Sequence, residues 1–263
     1  MNRNLSYFWE WFIIGLKSMN EYKINIYFGI FVNIVFSILL FVFYSLLKNI
    51  LPVTFGWGTP EFLFNIFWGS FFAILGGTFW FGGRLSRFLL QGDMNPILTK
   101  PLNSFLQYVL STSEVFIFIS SSHNIFFIIV IFFIYAKEIF FERLFFAILF
   151  AFFGSLFFFL ANRFFDSIGF YFKDARNIHK AYHTANDTFV RFPVIIFKNW
   201  IYIIGFLAGT TYFSALPTHY LFGHMPTIDF VNIFFILIAI EIVLCFLIYL
   251  LWKIGIKKYE AYN

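Results

Sequence analysis

Charge is what this sequence has least of: Asp, Glu, Lys and Arg together make up 12% of it, against 61% apolar residues. A water-soluble domain carries about a quarter charged residues, so water is excluded as the main solvent of this chain. Cysteine is nearly absent as well, and Cys245 standing alone rules out a disulfide within the chain. No G-x-x-x-x-G-K-[ST] phosphate loop occurs, nor any Gly-Lys pair, so the chain does not bind ATP by that route. Five histidines are too few for a membrane di-iron oxygenase. No Ser/His or paired-Asp constellation stands at a spacing an intramembrane enzyme needs, which argues against an enzyme.

What is present is hydrocarbon, with a mean hydropathy of +0.83. A chain of 263 residues has room for about six spans of ~20 residues and no sizeable soluble domain. The expected fold is therefore an all-α integral membrane protein, a single membrane domain over 1–263 with six transmembrane helices. The spans fall at 24–47, 62–83, 115–135, 144–161, 194–215 and 230–252, and the fourth helix is expected to continue through Arg163 and Asp166. Residues 1–20 place Leu5, Phe8, Trp9, Phe12, Ile13 and Leu16 on one helical stripe, the pattern of an interfacial helix rather than a signal peptide. The polar connectors are 84–107 and 173–193 on one side, while 216–229, uncharged but for Asp229, is read as a loop on the other. The 47 phenylalanines are accounted for by codon bias at lipid-facing positions.

The distribution of positive charge orients this chain. With the N-terminus inside, fourteen Lys and Arg residues fall on the inner side and only Lys48, Lys137 and Arg143 on the outer, with Arg163 left inside a span. That asymmetry puts both termini in the cytosol. It also explains the pI of about 9.2 without nucleic acid as a partner.

One connector stands out chemically. Between the second and third spans the chain reads Gln91, Gly92, Asp93, Met94, Asn95, Pro96, Ile97, Leu98, Thr99, Lys100, Pro101, Leu102. Gly92 allows a tight turn, Asp93 or Asn95 can cap a helix, and Pro96 and Pro101 bracket a stiff unit of one or two turns. Such a unit suits a mechanical contact on the inner face, although an ordinary connector has the same composition.

These residues resemble the permeases of type-2 ABC exporters, in particular a bacterial branch. The resemblance rests on Gly56, Trp57 and Gly58, on Gly92 and Asp93, and on the string Leu98, Thr99, Lys100, Pro101, Leu102, Asn103. It continues in Phe192 and Pro193, in Pro217, Leu221 and Gly223, and in the tail Trp252, Lys253, Gly255, Lys257, Lys258, Tyr259. It implies a six-span subunit in the bacterial cytoplasmic membrane that pairs with a second permease, identical or related. Two ATP-binding cassette subunits would dock on Gly92, Asp93, Asn95, Pro96, Lys100 and Pro101. They would carry the ATP and Mg, leaving no cofactor in this chain, and an amphipathic or hydrophobic substrate would pass between the permeases. The chain departs from the family pattern in its phenylalanine content and in Gly205, Gly209 and Thr210, where members often carry proline.

Ionisable residues inside spans remain. A charge at the bilayer centre costs about 2.5 to 3.5 kcal/mol on insertion scales, so each needs a reason. Glu241 lies midway along the sixth span and is either a neutral structural carboxyl or a contact for substrate or subunit. Glu114, at a span end, is met by interfacial solvation. Arg163 and Asp166, three apart, share a helix face and form an intrahelical pair. His179 and His183 lack the neighbouring Glu of a zinc helix and are read as a solvated face. A rival class is an ion-coupled secondary carrier using Glu241 and Glu114, though no internal repeat supports it.

Overall fold

The computed structural model describes residues 3–21, 23–47, 56–78, 85–113, 122–172, 175–194 and 205–259, and all regular structure among them is helical. The N-terminal helix α1 (Arg3–Glu21) leads into α2 (Lys23–Leu46), and α3 (Thr59–Thr78) follows. Three short helices come next, α4 (Leu85–Gln91), α5 (Asn95–Leu98) and α6 (Ser104–Ser111), and then α7 (Ser122–Ile134). The second half holds α8 (Leu144–Ser167), α9 (Arg176–Arg191), a π-helical turn at Thr211–Ala215, α10 (Leu216–Leu221) and α11 (Thr227–Lys258). Among the described residues, three helical stretches are long and apolar enough to cross a membrane: Ile26–Leu46, Phe141–Phe170 and Thr227–Lys258. The α7 helix is apolar but shorter.

The centre of the bundle is α3. Every side chain from Phe62 to Trp68 is buried, wrapped by α2, α7, α8, α9 and the π-turn. In lipid, helices associate by close packing rather than by hydrophobic exclusion, so small residues mark the tightest crossings. Gly154 of α8 is such a place, because a Cβ there would sit 2.6 Å from the backbone of Tyr212 and Phe213. Only the absent side chain lets α8 rest against the π-turn.

Phenylalanine is not confined to lipid-facing positions, contrary to the codon-bias expectation. Phe150 packs on Phe230 with ring centroids 4.4 Å apart, and Tyr220 stacks on Phe230 at 4.0 Å. Such pairs add about 0.5 to 1.5 kcal/mol each beyond the area they bury. They join α8, α10 and α11 at the end of the bundle where Phe140 donates its amide to the Leu221 carbonyl at 3.0 Å. By contrast α2 is almost bare: Phe28, Phe31, Phe36, Leu39 and Phe43 are all exposed.

Two segments differ from the sequence reading. Part of the expected loop at 216–229 is the helix α10, which continues directly from the π-turn and has Pro217 as its second residue. The preceding π-turn is held by hydroxyls: Thr211 Oγ1 donates to the Gly205 carbonyl at 2.5 Å and Ser214 Oγ to Thr210 at 2.7 Å. The polar segment α9 is a helix with one packed face, while Lys180, Thr184, Asp187, Thr188 and Arg191 on the other are exposed. Its His179 is 6% exposed and Asn186 fully buried, and the Asn186 amide oxygen accepts from the Thr210 N–H at 3.2 Å. Asn65 Nδ2 of α3 donates to the Val190 carbonyl at 2.8 Å, and the Tyr44 hydroxyl of α2 to the Arg191 carbonyl at 3.4 Å. One end of α9 thus lies near Ser86, whose Oγ accepts from the Ala175 amide, and the other beside the last turn of α2, so α9 runs alongside α3 rather than lying wholly on the side of the 84–107 connector, as expected for 173–193.

Candidate functional site

The connector between α3 and α7 folds as a small lever. Gly92 turns the chain after α4 with φ +76°, a left-handed conformation that favours glycine. The Asn95 amide closes the turn on the Gly92 carbonyl at 3.0 Å. Pro96 sits in the first turn of α5. Neither Asp93 nor Asn95 caps that helix: Met94 occupies the capping position without a side-chain bond. The capping side chain in this connector is Asn103, whose Oδ1 accepts from the Leu106 amide at 3.0 Å and starts α6.

This lever has two faces. Met94 and Ile97 are buried in a small core with Leu85, Leu89, Tyr108 and Trp252 of α11. On the outward side Gln91, Asp93, Asn95, Pro96, Thr99, Lys100 and Pro101 are exposed. Trp252 binds the lever a second way, its indole N–H donating to Ser104 Oγ at 3.1 Å. Five of the six residues expected to touch an ATPase, namely Asp93, Asn95, Pro96, Lys100 and Pro101, are therefore exposed, and Gly92 makes the turn beside them.

Beneath the lever lies a buried ionic node. Arg163 and Asp166 pair at 3.3 Å with side chains 1% and 2% exposed. Asp166 also accepts from the Leu85 amide at 3.2 Å and from the Tyr108 hydroxyl, so the carboxylate holds the first residue of α4 and the middle of α6 at once. Arg163 reaches Thr112 Oγ1 at 3.4 Å and lies over the rings of Tyr108 and Phe159. The expected intrahelical pair is present, and it is also the joint between the connector and α8. His179 of α9 stands close enough to feel both charges. Tyr108 and Leu85 escaped the sequence reading, since nothing in a linear pattern ties them to Asp166 across 58 and 81 residues.

Glu241 is 5% exposed and turned inward from α11 toward the main chain of Phe157 in α8. Its Oε1 has no hydrogen-bond partner among the described residues. Glu114 lies outside the described residues. Among the described residues no group of three or more His, Cys, Asp or Glu side chains is arranged to hold a metal ion.

A family model described as ABC-2 family transporter protein matches residues 31–262. The chain belongs to that family. The match runs from α2 through the basic tail, so the lever, the node and the long helices are all parts of an ABC transporter permease. None of the curated proteins or solved structures compared with this permease matches it.

Proposed function

We propose that this permease is the membrane half of an ATP-driven exporter in the bacterial cytoplasmic membrane, crossing it six times with both termini in the cytosol. Two ATP-binding subunits dock on the exposed face of the connector, where Asp93, Asn95, Pro96, Lys100 and Pro101 project. They supply ATP and Mg, and this chain performs no bond chemistry. A second permease, the same or related, completes the substrate path.

The observation that carries the reading is the two-sidedness of the connector. A surface made to be pushed needs a polar outer face and a rigid inner attachment, and α5 has both within four residues. Closure of the ATPases moves α5, Met94 and Ile97 press on Trp252, and the Asp166 carboxylate pulls α8 with α4 and α6. Both long helices of the second half are then displaced together. The permease contributes a difference in substrate affinity between its two states.

Purification of the tagged chain in mild detergent tests this. A nucleotide-binding subunit should accompany it, and the complex should hydrolyse ATP. Purified permease that carries no such subunit, with transport that collapses when ion gradients are dissipated, would instead support the secondary-carrier reading, in which Glu241 and Glu114 are the proton sites.

A further inference from the structure

Beside α3 and away from the lever, α2, α3 and the end of α9 enclose an open hollow of about 470 Å³. Its walls are hydrocarbon, chiefly Phe36, Leu40 and Phe43 of α2 with Ile66 and Ile74 of α3. Asp187 and Arg191 of α9 stand at its edge, one helical turn apart. They do not pair with each other: Asp187 Oδ2 lies 3.1 Å from His183 Nδ1, and no carboxylate among the described residues meets the Arg191 guanidinium. The Arg191 backbone is pinned there by Tyr44. The hollow continues past Phe36, Leu40 and Ile74 into a second of about 240 Å³, where Asn33 and Asn124 add polar wall. Along α2 the two extend from Asn33 to Tyr44, roughly 16 Å at the helical rise of ~1.5 Å per residue.

Arg191 is exposed at the rim of this hydrocarbon-lined hollow, where a guanidinium beside apolar helix faces favours water or an anion as its neighbour. We infer that this hollow is a binding site for an amphipathic anion, with its hydrocarbon chain along Phe36, Leu40 and Ile66 and its negative head at Arg191. The guanidinium suits a phosphate or carboxylate, whose oxygens it engages in pairs. An uncharged amphipath fills the same walls and leaves Arg191 unanswered. A cationic one meets Arg191 at the mouth, and the carboxylate in the lining, Asp187, is already engaged 3.1 Å from His183 Nδ1. The site rests on the permease reading and names its substrate class.

The test uses the full chain in nanodiscs of zwitterionic lipid, without ATPase or nucleotide, so that its outcome is independent of any coupling partner. Hexadecyl phosphate, hexadecanol and hexadecyltrimethylammonium are compared as ligands. The phosphate should bind at least about tenfold more tightly than the other two. Arg191→Gln should erase that preference, and Arg191→Lys should keep most of it. Ser70→Phe, which fills the hollow from α3, should weaken all three ligands while thermal unfolding and oligomeric state stay unchanged. Equal binding of the three, no binding at all, or an Arg191→Gln protein that still prefers phosphate overturns the proposal. So does a Ser70→Phe protein whose only change is loss of a dimer, since the hollow is then an interface between copies.

Discussion

Asp166, in the last turn of α8, accepts a hydrogen bond at 3.2 Å from the main-chain amide of Leu85, the residue at which the connector's first helix begins. That contact makes a carboxylate on a long apolar helix the anchor of a solvent-facing lever. The same carboxylate neutralises Arg163 and holds Tyr108, so the node cannot lose one member without exposing the others.

Asp166→Ala should therefore be far more damaging than its size suggests. It leaves the Arg163 guanidinium buried and uncompensated, a loss of about 3 to 5 kcal/mol for buried pairs. The double variant Arg163→Met, Asp166→Leu removes both charges and should recover much of that stability. Thermal unfolding in detergent reads both, and a double variant as unstable as Asp166→Ala would show that the charge pair is not the source of the loss.

Exchanging charge on the outer face of the connector should act on coupling alone. Asp93→Lys and Lys100→Glu lie in solvent, where single changes stay within about 0.5 kcal/mol of neutral. Unfolding temperatures should match the parent, while the amount of ATPase that co-purifies falls. An unchanged yield of ATPase subunit places the docking surface elsewhere.

Two glycines separate local from global effects. Gly92→Ala forces a Cβ into a left-handed turn at a cost of roughly 1 to 2 kcal/mol, and should raise hydrogen exchange in α4 and α5 only. Gly154→Val drives a side chain into the backbone of Tyr212 and should lower the unfolding temperature of the whole bundle.

His219 ties stability to acidity. Burial, and secondarily the neighbouring His224, push its pKa down to about 4, and its Nδ1 accepts the Trp57 indole N–H at 3.3 Å, which only the neutral ring can do. Unfolded, the ring titrates near 6.5. Between those values the unfolded chain binds a proton that the folded one refuses, so stability is greatest above about pH 6.5 and declines toward pH 4. His219→Gln should flatten that slope in thermal unfolding measured across the range, whereas an unaltered slope assigns the acid sensitivity to another group.

Much of this arrangement is visible in the sequence, and the reasons for the remainder are physical. The long apolar runs that became α2, α8 and α11 announce themselves by hydropathy, and three-residue spacing joins Arg163 to Asp166. Gly92, Pro96 and Pro101 mark the lever because turn chemistry is local. The partners of Asp166 are not local, so Leu85 and Tyr108 carried no signal. The helix α9 misled for another reason. Its composition is that of a solvated segment, yet its inward face, with His179 and Asn186, is buried, the Asn65 side chain of α3 bonding the Val190 carbonyl and the Thr210 amide bonding the Asn186 side chain. Hydropathy cannot register a polar helix whose needs are met by its neighbours. Likewise, Pro217 reads as a loop signal when it stands in the first turn of a helix.

The most direct test of a lever driven from outside is photocrosslinking in cells from a reactive residue placed at Lys100, with a second at Glu142 as the control. Lys100 should capture a protein bearing a nucleotide-binding phosphate loop, and Glu142, on the turn before α8, should not. Capture of no such protein from Lys100, or equal capture from both positions, would contradict the account.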